Sequence, residues 1–266
     1  MELKGSTVIV TGASSGIGWA AAARFARTGS NVVLASRNRE ALEALAKELE
    51  GLPGRRLVVA TDVSDREAVT AMVERAVTEL GSVEVLVNNA GLGLNATVAE
   101  GSVENIRRVF EVNFFGAVNC IQAVVPHMKG RRRGAIAIVS SVVGRLAPPY
   151  SGAYAATKGA LNALSDSLRL ELAPYGIKVT AVYPGYTRTG FQENLLRELE
   201  IARPSRLVRG VSAEAVGRTI VRAVREGKRE AYVTRGDAAA VMVKNVSPRL
   251  VDWGMRRLWL SGRRPE

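Results

Sequence analysis

The chain has 266 residues, 47% apolar and 23% charged, with no low-complexity tract, which suits one packed α/β domain and argues against disorder. One cysteine, Cys120, excludes an intramolecular disulfide and suits a reducing compartment; one histidine, His127, argues against a zinc site and leaves a Ser-His-Asp triad only if His127 is its member. The formal charge of +12 would attract nucleic acid, anionic membranes, acidic carriers or phosphorylated cofactors, but no zinc-finger spacing or aromatic RNA-binding signature accompanies it, so no nucleic-acid partner is expected.

The first residues, MELKGSTVIVTG, lack the charged and apolar regions of a leader, and no uncharged apolar run of about 18 residues occurs. The expectation is a cytoplasmic protein. Residues 6–11 (STVIVT) and 31–36 (NVVLAS) read as strands, followed by a helix over 38–50, a strand over 56–61 and a helix over 65–80. In the second helix Val69, Met72, Val73, Ala76, Val77 and Leu80 form one apolar stripe. Further strands are predicted at 83–89, 135–141 and 177–183, and AYVTRG (231–236) adds a last one. These strands are almost continuously apolar, as strands covered on both faces are. Alternation of strand and helix implies right-handed crossovers and a Rossmann-type, doubly wound parallel sheet of about seven strands in one domain, residues 1–236.

In such sheets ligands bind beyond the carboxyl ends of the strands. The first strand ends in TGASSGIG (11–18), where Gly12, Gly16 and Gly18 allow a tight turn, close approach to a diphosphate and tight helix packing. About 20 residues on, where a NAD site offers an acid to the ribose, the second strand ends with Ser36, Arg37 and Arg39. Guanidinium groups suit a 2′-phosphate, which favours NADP over NAD; the alternative is that these arginines merely open a helix. Tyr154 and Lys158 in YAATK lie four apart on one helix face. There a neighbouring ammonium and a nicotinamide cation would favour the phenolate and lower the tyrosine pKa. Ser141 ends a strand on the same rim, as does VYPGYTRT (182–189), whose Pro184-Gly185 pair stops the strand.

Together TGASSGIG, NNAG (88–91), Asn113, Ser141, YAATK and PGYTRT resemble the short-chain dehydrogenase/reductase family, over residues 5 to about 235. The resemblance implies NADP(H) as cofactor and hydride transfer between it and a carbonyl or alcohol. It makes Tyr154 the general acid/base, Lys158 its partner and a ribose ligand, Ser141 the holder of the substrate oxygen, and Asn113 the anchor of a relay water. Ser14, Ser15, Gly16 and Ile17 would meet the diphosphate, Asp62 and Val63 the adenine, and Asn88, Ala90 and Gly91 the ribose side. Pro184, Gly185, Thr187 and Thr189 would wrap the nicotinamide; position 187 is usually aliphatic, so Thr187 departs from the pattern. No metal is implied.

The substrate loop should run from Tyr186 to about Ser212, with Phe191, Leu195, Leu196 and Leu199 on one helical face. With Leu92, Leu94, Val142, Val143 and Tyr150 these suggest a pocket for a small apolar carbonyl or alcohol. The alternative function is a non-catalytic NADP-binding regulator or scaffold that uses its basic surface. A homo-oligomer is expected. His127 reads as a capping residue after a proline, and Cys120 as packing. Residues 237–266 form a basic extension in which Ser247-Pro248 starts a helix, with Val251, Met255, Leu258 and Trp259 as its stripe. It is expected to cover apolar surface near the substrate loop or a subunit interface, with contact to an anionic membrane surface as the alternative.

Overall fold

The structure, a computed structural model, describes residues 1–191, 195–199 and 210–260. Its sheet is built from β1 (Thr7–Thr11), β2 (Asn31–Ser36), β3 (Arg56–Ala60), β4 (Val85–Asn88), β5 (Gly134–Val139), β6 (Ile177–Tyr183) and β7 (Glu230–Tyr232). All neighbours pair in parallel, in the order β7-β6-β5-β4-β1-β2-β3. The doubly wound sheet is therefore present, and its winding reverses between β1 and β4. The last strand is shorter than 231–236, because Thr234 caps a helix, its hydroxyl accepting from Asp237 N at 3.0 Å.

Alternate side chains of each strand enter two separate cores. Val8 and Val10 join Phe25 and Leu42 from α1 (Gly16–Ala26) and α2 (Arg39–Glu48), while Ile9 joins Val69, Met72 and Val73 from α3 (Arg66–Leu80) on the other face. Asp65 starts α3 by accepting from the amides of Glu67 and Ala68, and Gly81 stops it at φ +85°.

Next, α4 (Val103–Phe110) does not break before α5 (Gly116–Arg131). Glu111–Phe115 widens into a π turn, with Gly116 N donating to Glu111 O. By length and composition the run Val103–Arg131 could cross a membrane, although it is not an uncharged run. Here Cys120, Ile121, Val124 and Met128 of α5 are buried against the sheet. Burial pushes the Cys120 thiol up to about 12, leaving it unreactive. Pro126 and His127 lie inside α5 rather than at its end, so His127 is not a cap.

Beyond β5, a single helical turn (Val143–Leu146) leads to α6 (Gly152–Leu172), which packs on the same face as α3 and α5. Helix α7 (Ala213–Glu226) packs beside α1 on the opposite face. Two further helices after the last strand, α8 (Arg235–Val246) and α9 (Pro248–Leu260), make a helical hairpin joined by Ser247 and tied by Lys244 to Asp252 at 2.9 Å. The start of α9 at Ser247-Pro248 agrees with the sequence, although α8 begins two residues before the extension was expected to start.

The described residues of the substrate segment form no α-helix, only a 3-10 turn at residues 190–191. Leu196–Arg197 pairs in parallel with Leu94–Asn95, and Thr187–Arg188 with Val211–Ser212. Glu198 adds hydrogen bonds from Ser102 N and Asn105 Nδ2. Residues 192–194 and 200–209 of the predicted loop, and 261–266 of the tail, lie outside the described residues.

Candidate active site

A cleft of about 1200 Å³ follows the carboxyl ends of β1 to β6. Gly12, Ser14, Ser15, Gly16 and Ile17 form its wall at the switch of winding. Gly12 has φ +65°, and a Cβ there would stand 2.9 Å from Ala90 Cα. Gly18 lies behind the cleft, where a Cβ would be 2.1 Å from Gly12 O; its role is to let α1 press against the turn. Ser15 makes no side-chain cap, and the first turn of α1 carries no acid. The helix therefore keeps free N–H groups and positive potential for a phosphate.

At the adenosine end Arg37, Asp62 and Val63 line the cleft. Arg37 Nη1 is 3.8 Å from Asp62 Oδ2, with the arginine largely in solvent and the aspartate half-buried. Burial pushes the Asp62 carboxyl up, but hydrogen bonds from the Ser64 hydroxyl and amide, with Arg37 beside it, hold it below its ordinary value. Arg39 is not in the cleft; it turns to Glu43 one helical turn on, at 3.8 Å. Asn88 is likewise displaced. Its side chain donates to Ala117 O at 3.3 Å and meets only a small internal cavity of about 10 Å³. The cleft residue is Asn89, whose Nδ2 donates to Thr11 O (2.9 Å) and Gly12 O (3.3 Å) and so braces the glycine turn. Ala90 and Gly91 line the cleft.

At the other end the structure brings together Ser141, Tyr154, Lys158, Pro184, Gly185, Thr187 and Thr189. Thr189 lies against the phosphate turn, since a Cβ on Gly16 would be 3.1 Å from its Cβ. Ser141 Oγ donates to Pro184 O at 3.2 Å and accepts from Val143 N at 3.2 Å, which fixes the rotamer. Lys158 is 4% exposed, and its Nζ donates to Val139 O at 2.9 Å while lying 5.7 Å from the Tyr154 ring centre.

The electrostatics differ from the expectation. Burial lowers Lys158 to about 8 and raises Tyr154 above its ordinary value, with a Ser141 hydrogen bond acting the other way. Burial of the phenol outweighs the ammonium 5.7 Å from its ring centre, which is itself disfavoured in a dry site. With the chain's own groups alone, Tyr154 holds its proton.

Asn113 sits at the centre of the π turn, 1% exposed. Its Oδ1 accepts from Leu92 N (2.7 Å), and its Nδ2 donates to Leu92 O (2.9 Å) and Thr157 Oγ1 (3.0 Å). Both amide hydrogens are used, so a relay water would have to meet the second lone pair of Oδ1 or the main chain. A Cβ on Gly91 would be 3.3 Å from that Oδ1 and 3.7 Å from Lys158 Nζ, which leaves the space between them open only because residue 91 is glycine.

The substrate end is walled by Leu92, Leu94, Val142, Val143, Phe191, Leu195 and Leu196, whereas Tyr150 and Leu199 do not line it. Met255, from the stripe expected in the C-terminal extension, lines it too, and sequence reasoning missed Arg108 and Asp237, which also do. Asp237 Oδ2 is buried without a hydrogen-bond partner, beside Gly185, where a Cβ would meet Oδ1 at 2.4 Å. No motif surrounds Arg108 or Asp237, so nothing local in the sequence marks them. Among the described residues no cluster of His, Cys, Asp or Glu could hold a metal ion.

The family model for short chain dehydrogenases matches residues 6–200. Dehydrogenase/reductase SDR family member 7B of Xenopus laevis is 35% identical over 258 residues, covering 93% of this chain and 80% of its own. The 3-oxoacyl-[acyl-carrier-protein] reductase of Thermotoga maritima is 39% identical over 206 residues, 76% of this chain and 84% of that protein. A short-chain dehydrogenase/reductase from Burkholderia phymatum, solved in complex with NAD, superposes with a TM-score of 0.85 at 28% identity, over 94% of this chain and 96% of that one. The 3-ketoacyl-(acyl-carrier-protein) reductase of Brucella melitensis, complexed with NADH, gives 0.79 at 27% identity, over 88% and 99%. With a phosphate-binding glycine turn at one end of a single cleft and a Ser-Tyr-Lys set at the other, the chain belongs to the short-chain dehydrogenase family of oxidoreductases.

Proposed function

We propose that the protein is an NADP(H)-dependent oxidoreductase that interconverts a carbonyl and an alcohol on a small apolar substrate. The observation that supports the cofactor choice is Arg37, standing in the cleft at the end of β2 where a NAD site carries an acid. The solved relatives named above hold NAD or NADH, so the choice rests on this chain's own residue. The exposed Arg37–Asp62 pair is worth only ~0–1 kcal/mol, and a 2′-phosphate with several acceptor oxygens competes well for the guanidinium.

The cleft fits such a dinucleotide: the uncapped start of α1 suits its diphosphate, and the unpartnered Asp237 oxygen can accept a hydrogen bond from what the cleft binds. Ser14, Ser15, Gly16 and Ile17 would hold the diphosphate, and Pro184, Gly185, Thr187 and Thr189 the nicotinamide, which supplies or accepts the hydride. The chain's own residues handle the proton. Tyr154, protonated at neutral pH, donates to the carbonyl oxygen in reduction, while Ser141 holds that oxygen beside it. Lys158 brings a positive charge under the ring, which stabilises the phenolate left behind. Leu92, Val142, Leu146, Phe191, Leu195 and Met255 offer the substrate an apolar wall.

Screening NADPH and NADH oxidation against a panel of apolar ketones and aldehydes tests this. NADPH should bind roughly 10–100-fold more tightly, the worth of one or two hydrogen bonds to a charged group, and Arg37→Asp should abolish the preference. Equal affinities in the parent protein would reject the cofactor assignment.

A further inference from the structure

Ten large apolar side chains are exposed among the described residues, and five of them fall between residues 242 and 253. Met242 is 69% exposed, Val246 78%, Leu250 56% and Trp253 56%, with Val243 beside them. They lie on the α8–α9 hairpin. The stripe expected from the sequence is a different face of α9. Val251 is half-buried, and Met255, one turn on, lines the cleft. Leu250, Trp253 and Arg257 follow at i, i+3 and i+7 and form a second, outward face.

Basic groups surround that face. Arg235, Arg249, Arg256 and Arg257 are exposed, and Arg249 and Arg256 make no ion pair among the described residues. The Arg257 guanidinium lies 4.8 Å over the Trp253 ring. The acids of the hairpin do not offset them: Asp252 is taken by Lys244 at 2.9 Å, and Asp237 faces the cleft.

We propose that the outer face of the α8–α9 hairpin docks on the surface of an anionic lipid bilayer. Apolar side chains between arginines, on helices able to lie flat, suit the boundary between headgroups and acyl chains. A tryptophan with a cation at its face suits the same depth. Charge selects the bilayer over a second copy of the chain, because a two-fold contact through this face would set the same arginines against one another. Each exposed arginine at an anionic surface should contribute roughly fivefold to partitioning. Since Met255 of the same helix lines the cleft, docking would set the cleft mouth at the lipid. That consequence rests on the apolar substrate proposed above, whereas the docking itself is measured without substrate or cofactor.

The test is co-sedimentation of the full chain with phosphatidylcholine vesicles, with and without phosphatidylserine, at low and high salt. Binding should be at least roughly tenfold stronger with phosphatidylserine and fall with salt. The pair Leu250→Glu with Trp253→Glu should abolish it while leaving the circular dichroism and dinucleotide binding unchanged. Arg249→Gln with Arg256→Gln, which keeps the apolar face, should weaken it about 25-fold, two charges at fivefold each. Absence of binding to the anionic vesicles, or equal binding by the glutamate variant, would overturn the proposal. So would a parent protein that ignores vesicles but dimerises in sedimentation velocity through this same face, since the occupant would then be a second copy.

Discussion

Replacing Lys158 by methionine should stabilise the protein while removing its activity. Burial lowers the lysine from 10.5 to about 8, a difference of about 2.5 pH units. At ~1.36 kcal/mol per unit, the folded state bears a penalty of up to about 3 kcal/mol for the charged side chain. Methionine escapes that penalty but leaves Val139 O without the donor now 2.9 Å away, a loss of ~1–2 kcal/mol. The net gain at pH 7 is ~1–2 kcal/mol, or about 2–8 °C in Tm at ~2–4 °C per kcal/mol for a domain of this size. The penalty belongs to the charged form, so it is fully present below pH 8, where lysine is charged in both states. It fades as pH rises from about 8 to 10.5, where the unfolded chain binds more protons than the folded one. The parent should therefore gain on the variant across that window. Urea melts of both proteins at pH 7 and pH 10, followed by circular dichroism, measure the difference. A variant less stable than the parent at pH 7, or a gap that does not change with pH, refutes the reasoning.

Tyr154→Phe should lower turnover by ~10²–10⁴-fold, the usual worth of a general acid, with dinucleotide affinity by calorimetry nearly unchanged. Because burial keeps Tyr154 protonated, ketone reduction should hold its rate through neutral pH, while alcohol oxidation, which needs the phenolate, should climb with pH; opposite trends in steady-state profiles would contradict the assignment. Gly18→Ala should cripple dinucleotide binding and cost ~2 kcal/mol or more of stability, since its methyl would stand 2.1 Å from Gly12 O; an alanine variant with parental affinity in calorimetric titration would show that the turn is not a fixed cradle.

Strands such as Asn31–Ser36 were legible because residues buried on both faces leave a continuous apolar run, and helices such as Arg66–Leu80 because one face repeats. The ends of strands were harder. Asn88 and Asn89 differ by one residue, and in a strand that single step exchanges the two faces, so one enters the core side by Ala117 and the other the cleft. Leu195, Leu196 and Leu199 fit helical spacing, yet pairing with Leu94–Asn95 decided the conformation, a tertiary contact with no local trace. The same limit applies to the Tyr154–Lys158 pair. Spacing placed the two on one face, but how deeply each is buried, and that Lys158 donates to Val139 O, depends on strands far away in sequence. On α9 the expected stripe took in Val251 and Met255, which face inward, but not Leu250 and Trp253, since a helix apolar on two faces has no single period.

The π turn at Glu111–Phe115 acts as a phase shifter. One extra residue in a helix rotates everything after it by about 100° relative to everything before. Val109, just upstream, packs with Leu94 and Ala96 beneath the substrate end, whereas Cys120 and Val124, downstream, pack into the sheet. A regular helix through both would match only one of these surfaces. The inserted residue sets their relative angle, and the side chain at the shift, Asn113, is bolted to Leu92 on one side and Thr157 on the other. Substitutions upstream can therefore reshape the pocket wall without turning the helix against the sheet, and a length change of one residue inside 111–115 would misalign pocket and cofactor cleft together. Around Asn113, the count of residues in this segment matters more than their identity.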